Sequence, residues 1–118
     1  MIIFSAELAS LSARENLMRT AEAEEVLGQC QTGTGVYQGT QETCLITSQT
    51  GLGKELARGF EQECYLERGH YGVWYLVETA SGAILDTFKT IKEVTKERAE
   101  QEDNYTIMNG KYYLASYY

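Results

Sequence analysis

Proline is absent from this 118-residue chain, and no linker, repeat or low-complexity segment interrupts it. Histidine occurs once, at His70, and the three cysteines, Cys30, Cys44 and Cys64, lie 14 and 20 residues apart. That spacing fits neither a disulfide framework nor the close cysteine pairs of a zinc site, so we expect no metal centre and three buried free thiols. Long apolar runs are missing too. The start, MIIFSAELAS, has no basic segment and only a short apolar stretch, so no signal peptide or membrane span is expected and the cytoplasm is the expected compartment. Basic charge is scarce: ten Lys and Arg stand against 17 Asp and Glu, a formal net charge of −7. Nonspecific attraction to nucleic acid phosphates is thereby excluded, and the lack of any long acidic run argues against mimicry of DNA.

Familiar catalytic motifs are also wanting. GTGVYQG, from Gly33, follows a helix and enters a strand, the reverse of a dinucleotide fingerprint. TSQTGLGKE resembles a phosphate loop but carries Ser48 where the first glycine belongs and Glu55 where a magnesium-binding hydroxyl belongs. No serine sits in a nucleophile elbow, and His70 reads as a solvated turn residue.

What is present is ordinary for a globular protein, with 43% apolar and 23% charged residues. One domain over residues 1–118 is expected, with a single two-layer core. IIFSAEL reads as a strand, and Ser12-Ala13-Arg14-Glu15 has the form of a capping box opening a helix that runs to about Leu27, near Gly28. TGVYQGTQETCLITS divides at Gly39-Thr40 into a hairpin. Leu52, Leu56 and Phe60 mark a short helix, and ECYLER a further strand. The order β-α-β-β-α-β predicts an α+β, ferredoxin-like sandwich over residues 1–67, with both helices on one face of the sheet. Residues 68–118 are then an extension of β-hairpins covering that sheet or binding a second copy. Within it, Ile91, Val94 and Arg98 have helical spacing, and Asn109-Gly110 is a strong hairpin turn.

One stretch fits a core strand poorly. QGTQETCLIT places Gln41 and Glu42 side by side, although burying either without partners costs free energy. Alternation puts Glu42 on one face with Cys44 and Ile46, and Gln41 on the other with Thr43 and Leu45. Singly, Glu42 can be a solvated hairpin residue and Glu15 a cap. Together, acids and aromatic groups facing one cleft suit a cationic, nucleoside-like ligand.

The N-terminal strand, the S-x-R-E-N opening of the first helix and the G-x-Y-x-G-x-x-E hairpin resemble the phage-encoded S-adenosylmethionine lyases. A similar pattern occurs in a bacterial family of no assigned function. The resemblance spans residues 1–67. It implies a homotrimer of ferredoxin-like subunits with sites between neighbours, no metal or other cofactor, and cleavage of S-adenosylmethionine to methylthioadenosine and homoserine lactone. Such depletion would blunt host restriction. Position by position, it implies a catalytic Glu15 near the methionine ammonium and sulfonium, and Gln41 and Glu42 on the adenosine. Phe4 stands near where the family has a tyrosine and is implied to pack against the substrate without that hydroxyl.

A second reading belongs to another class: a noncatalytic, oligomeric inhibitor of a host protein. Its contact surface would be the tyrosine-rich C-terminus, Tyr112, Tyr113, Tyr117 and Tyr118, since aromatic groups with a polar tip favour interfaces.

Overall fold

Turn chemistry sets the strand pairing. In the computed structural model, which describes all 118 residues, Gln38 and Gly39 have φ of 49° and 81°, and Asn109 and Gly110 have 53° and 74°. Two successive positive φ values match the right-handed twist of flanking strands. The first pair joins β2 (Gln31–Tyr37) to β3 (Thr40–Thr47); the second joins β8 (Asn104–Met108) to β9 (Lys111–Ser116). Helix α1 spans Ala13–Leu27, with Ser12 Oγ accepting from the Glu15 amide at 3.1 Å and Gly28 at its end. Its buried side is narrow. Asn16, Thr20, Ala23 and Leu27 face inward, while Leu17, Met18 and Val26 stay exposed.

The other elements are β1 (Ile2–Ser5), α2 (Thr50–Gly59), β4 (Cys64–Arg68), β5 (Trp74–Glu78), β6 (Ile84–Phe88), β7 (Thr90–Val94) and α3 (Lys96–Ala99). A short 3₁₀ turn at His70–Gly72 connects β4 to β5. No helix is long and apolar enough to cross a membrane.

All nine strands join one antiparallel sheet in the order β6-β5-β4-β1-β3-β2-β8-β9-β7. Its two edge strands, β6 and β7, are consecutive in the chain and meet through Lys89. There the Lys89 amide donates to Ser116 O at 2.8 Å, Tyr117 Oη donates to Asp86 at 2.7 Å, and the Phe88 and Tyr117 rings lie 5.2 Å apart. The sheet is therefore a nearly closed barrel.

This overturns the expected ferredoxin-like sandwich. The C-terminal hairpins do not lie across an open sheet face; β5 pairs with β4 and β8 with β2, so both edges are extended by hydrogen bonding. Unpaired edge amides and carbonyls demand partners, and strand addition meets that demand residue by residue. The helical spacing at Ile91, Val94 and Arg98 is overturned as well. Thr90–Val94 pairs with β9, and helix begins only at Lys96, where Thr95 Oγ1 accepts from the Arg98 amide at 3.2 Å.

Strand alternation divides the core in two. Ile2, Phe4, Leu45, Tyr65 and Val77 point outward into the layer beneath α1 and α2, joined by Ala23, Leu27 and Ala57. Ile2 and Leu45 are fully buried, and each side chain contributes about 1.5–3 kcal/mol by leaving water. Helix α2 approaches closely because position 53 is glycine; a Cβ there would stand 2.5 Å from Ile2 Cγ2 and 3.6 Å from the Phe4 ring. Residues of opposite parity face the barrel interior. There, a Cβ on Gly33 would lie 2.7 Å from the Ile107 carbonyl oxygen and 3.3 Å from Cys44 Sγ. The first neighbour is backbone of the adjoining strand, so Gly33→Ala must push β8 away from β2. We expect a loss of about 1–3 kcal/mol, typical of overpacking, read as a lower urea midpoint at unchanged slope.

Candidate functional site

The inner faces of the strands enclose a cavity of about 190 Å³ to which all nine strands contribute. Space comes from the glycines of β2. Register sets Gly33 opposite Cys44 and Gly35 opposite Glu42, so no side chain from β2 fills the room above these two residues. The wall is aromatic and aliphatic, with Tyr113, Phe88, Ile91 and Leu76 among its members. Glu42 is the only charged side chain lining it.

Glu42 is half-buried, and its carboxyl titrates above the usual range. Burial is the main cause, the neighbouring Glu7 carboxylate adds to it, and the Ser5 hydroxyl opposes both. Ser5 Oγ also donates to Thr43 O at 2.9 Å; with one proton it serves one acceptor at a time. The segment after β1 is pinned to β3 and to Gln62. The Glu7 amide donates to Ser5 Oγ at 3.0 Å, the Glu7 carboxylate accepts from the Thr43 amide, and Gln62 Nε2 donates to Glu7 O at 2.9 Å.

Two thiols share this end of the lumen. Cys44 is pushed up to about 11 by burial first and by Glu42 second. Cys64 is raised by burial, then by Glu63 and Glu42. Both stay protonated at neutral pH, and a buried thiol of that kind is a poor nucleophile. Ser5 stands between them, since it pairs with Cys44 while β1 also pairs with β4. Two strand spacings, about 9.5 Å, exceed the reach of a disulfide. No group of three or more His, Cys, Asp or Glu side chains is placed to hold a metal ion.

A second cavity, of about 340 Å³, shares Ile3, Ile91, Thr106 and Tyr113 with the first and continues toward Arg68 and Trp74. The two are successive parts of one lumen.

The residues singled out from sequence are not brought together within one chain. Glu42 faces the lumen with Cys44 and Ile46, while Gln41 is exposed on the opposite side of β3. Phe4 borders the cavity, but it is only 2% exposed and its ring turns toward Gly53 of α2. The hydroxyl that β1 does offer the lumen belongs to Ser5, the next residue. Glu15 is exposed at the start of α1, outside both cavities, and receives the Ser12 hydroxyl at 3.0 Å. The C-terminal tyrosines separate as well. Tyr113 lines the lumen, Tyr112 meets Tyr105 at 6.1 Å between centroids, Tyr117 closes the seam, and Tyr118 is exposed. Sequence reading missed Ser5, Cys64, Phe88 and Tyr113 as lumen residues. Alternation along β1 and β4 carries the signal for Ser5 and Cys64; the others need the barrel to close.

Comparison of the chain with protein-family models and with curated proteins finds no match.

Because burial raises the Glu42 carboxyl above its unfolded value, the folded state binds its proton more tightly than the unfolded state. Stability tied to this group is therefore fully present below the unfolded value and lost as pH rises through the folded value. Glu42→Gln removes that loss. The variant is expected to melt at a higher temperature than the parent at pH 7, with the gap narrowing as pH falls into the carboxylate range. Thermal unfolding at both pH values measures it.

Proposed function

We propose that the chain is an S-adenosylmethionine lyase whose substrate occupies the barrel lumen against Glu42. The observation that carries this reading is a single half-buried carboxylate in an otherwise uncharged, largely apolar cavity with aromatic rings in its wall. Such a group, poorly solvated and free of any cationic partner, favours a ligand that brings positive charge or hydroxyl donors. Aromatic faces suit both a sulfonium and a purine. The N-terminal resemblance supplies the identity of that ligand. It also supports an oligomer, a trimer in the family, acting in the cytoplasm of a bacterial host to lower its S-adenosylmethionine.

The reaction asks little covalent chemistry of the protein. The substrate carboxylate forms a C–O bond at its own γ-carbon, the C–S bond breaks, and its electron pair neutralises the sulfonium. Methylthioadenosine and homoserine lactone leave, and no proton has to move. Holding the methionine tail in attack geometry can contribute about 7–11 kcal/mol in favourable intramolecular cases. Charge is neutralised along the way, so a lumen with few polar groups favours the transition state over the separated charges.

The same argument places Glu42. A carboxylate held against the sulfonium would stabilise the very charge that the reaction removes, lowering the ground state more than the transition state. Glu42 is therefore assigned to groups that persist through the reaction, the ribose hydroxyls foremost. Glu15 reaches this lumen only if a neighbouring subunit presents it.

Incubation with S-adenosylmethionine, without added metal, is expected to yield methylthioadenosine and homoserine lactone, resolved by chromatography. Glu42→Gln should lower kcat/KM by about ten- to a hundredfold through a higher KM with kcat little changed, the scale of losing a charge-assisted hydrogen bond made equally in the ground and transition states. Glu15→Gln separates two arrangements: unchanged turnover confines the site to one chain, and a comparable loss locates it between subunits. Intact S-adenosylmethionine after prolonged incubation at high protein concentration refutes the lyase.

A further inference from the structure

The far end of the lumen has the opposite electrostatic character, and nothing in the lyase reading uses it. Glu42 stands two positions beyond the Ser5–Cys44 pair, whereas Arg68 stands one beyond Ile2–Glu67, at the other end of the same strands. About 20 Å of strand separates their levels. Among the residues lining the second cavity, Arg68 is the only charged side chain.

Arg68 is exposed at the mouth and unpaired. It takes part in none of the four ion pairs of the protein, and the nearest acid along the strand, Glu67, is engaged by Lys54 at 2.8 Å. Its guanidinium lies against the backbone of Gly72, where a Cβ would come within 3.3 Å of Nη2; Gly72 has φ of 75° and so keeps the turn tight. Across the β4–β5 ladder its registered partner is Trp74, which is only 9% exposed and also lines the cavity. Ile46 and Met108 continue the apolar wall.

We propose that this mouth is a second binding site, for a small organic monocarboxylate with a flat apolar body. A guanidinium fork matches a carboxylate in bidentate geometry, and Trp74 with its apolar neighbours provides the surface for the body. Arg68 is the only basic side chain in the lining, and the Met1 ammonium beside it is engaged by Thr50 Oγ1 at 3.2 Å, so a single guanidinium fork is offered to a single carboxylate. The site is separate from Glu42, and the inference does not rest on the lyase reading.

Trp74 is the only tryptophan in the chain, so its fluorescence reports on this mouth alone. Titration with 4-phenylbutyrate, in the absence of S-adenosylmethionine, is expected to give a saturable change. Its uncharged amide, 4-phenylbutyramide, should bind roughly tenfold or more weakly, the scale of losing a charge-assisted hydrogen bond. Arg68→Gln should weaken phenylbutyrate binding by a similar factor without affecting the amide, and Arg68→Lys should retain part of the difference. Equal binding of acid and amide to the native chain overturns the proposal, whether or not the variants fold. So does unchanged phenylbutyrate affinity in Arg68→Gln, or a flat titration up to about 10 mM.

Discussion

Sheet edges govern this molecule. An unpaired edge strand exposes a row of amides and carbonyls that must find partners or water, and each edge is a template for unwanted pairing. Here β4 and β2, which would have been the edges of a four-stranded sheet, are continued by β5–β6 and by β8–β9–β7. The final edges, β6 and β7, are neighbours in sequence, so the chain itself draws them together at Lys89. Closure has a second effect: a flat sheet has two faces to cover with other elements, whereas a curled one covers its inner face with itself. Two helices then suffice for the outside, and the inside becomes a lumen.

That lumen is only partly filled. Gly33 and Gly35 withhold side chains where β2 passes Cys44 and Glu42, and a carboxylate is held half out of water with no basic group to answer it. Left alone, such an arrangement costs stability, because desolvation disfavours the ionised form. A sequence selected for folding alone has simpler choices at position 42. Local inconsistency of this kind is what functional sites show, where a residue is poised for a ligand at some expense to the empty protein.

Local features were readable from sequence and the long-range ones were not. Ser12 and Gly28 bracket α1, and Asn109-Gly110 turns β8 into β9, because caps and I′ turns are decided by the few residues that form them. The alternation that set Glu42 beside Cys44 and Ile46 survives for the same reason. Arg98 misled because Val94 and Ile91 satisfy a helical period and a strand equally well over so short a run; pairing with β9 decided the matter. The sandwich failed at a longer range. Nothing in residues 68–118 distinguishes hairpins that cover a sheet from hairpins that extend it, since both need the same alternating strands and the same turns.

The site follows that division. Glu42, Ser5, Cys44 and Cys64 come from residues 1–67, the part whose motifs resemble the lyases, and they supply the carboxylate, a hydroxyl and the thiols of the first cavity. Residues 68–118 add Phe88 and Tyr113 to the aromatic wall. A motif in the first part can therefore name a chemistry but cannot by itself fix the shape of what is bound, because Leu76, Phe88, Ile91 and Tyr113 of the second part complete the wall. The C-terminal strands are walls of the site and not its cover. Substitutions there change the lumen itself, and residues 1–67 alone would not enclose it.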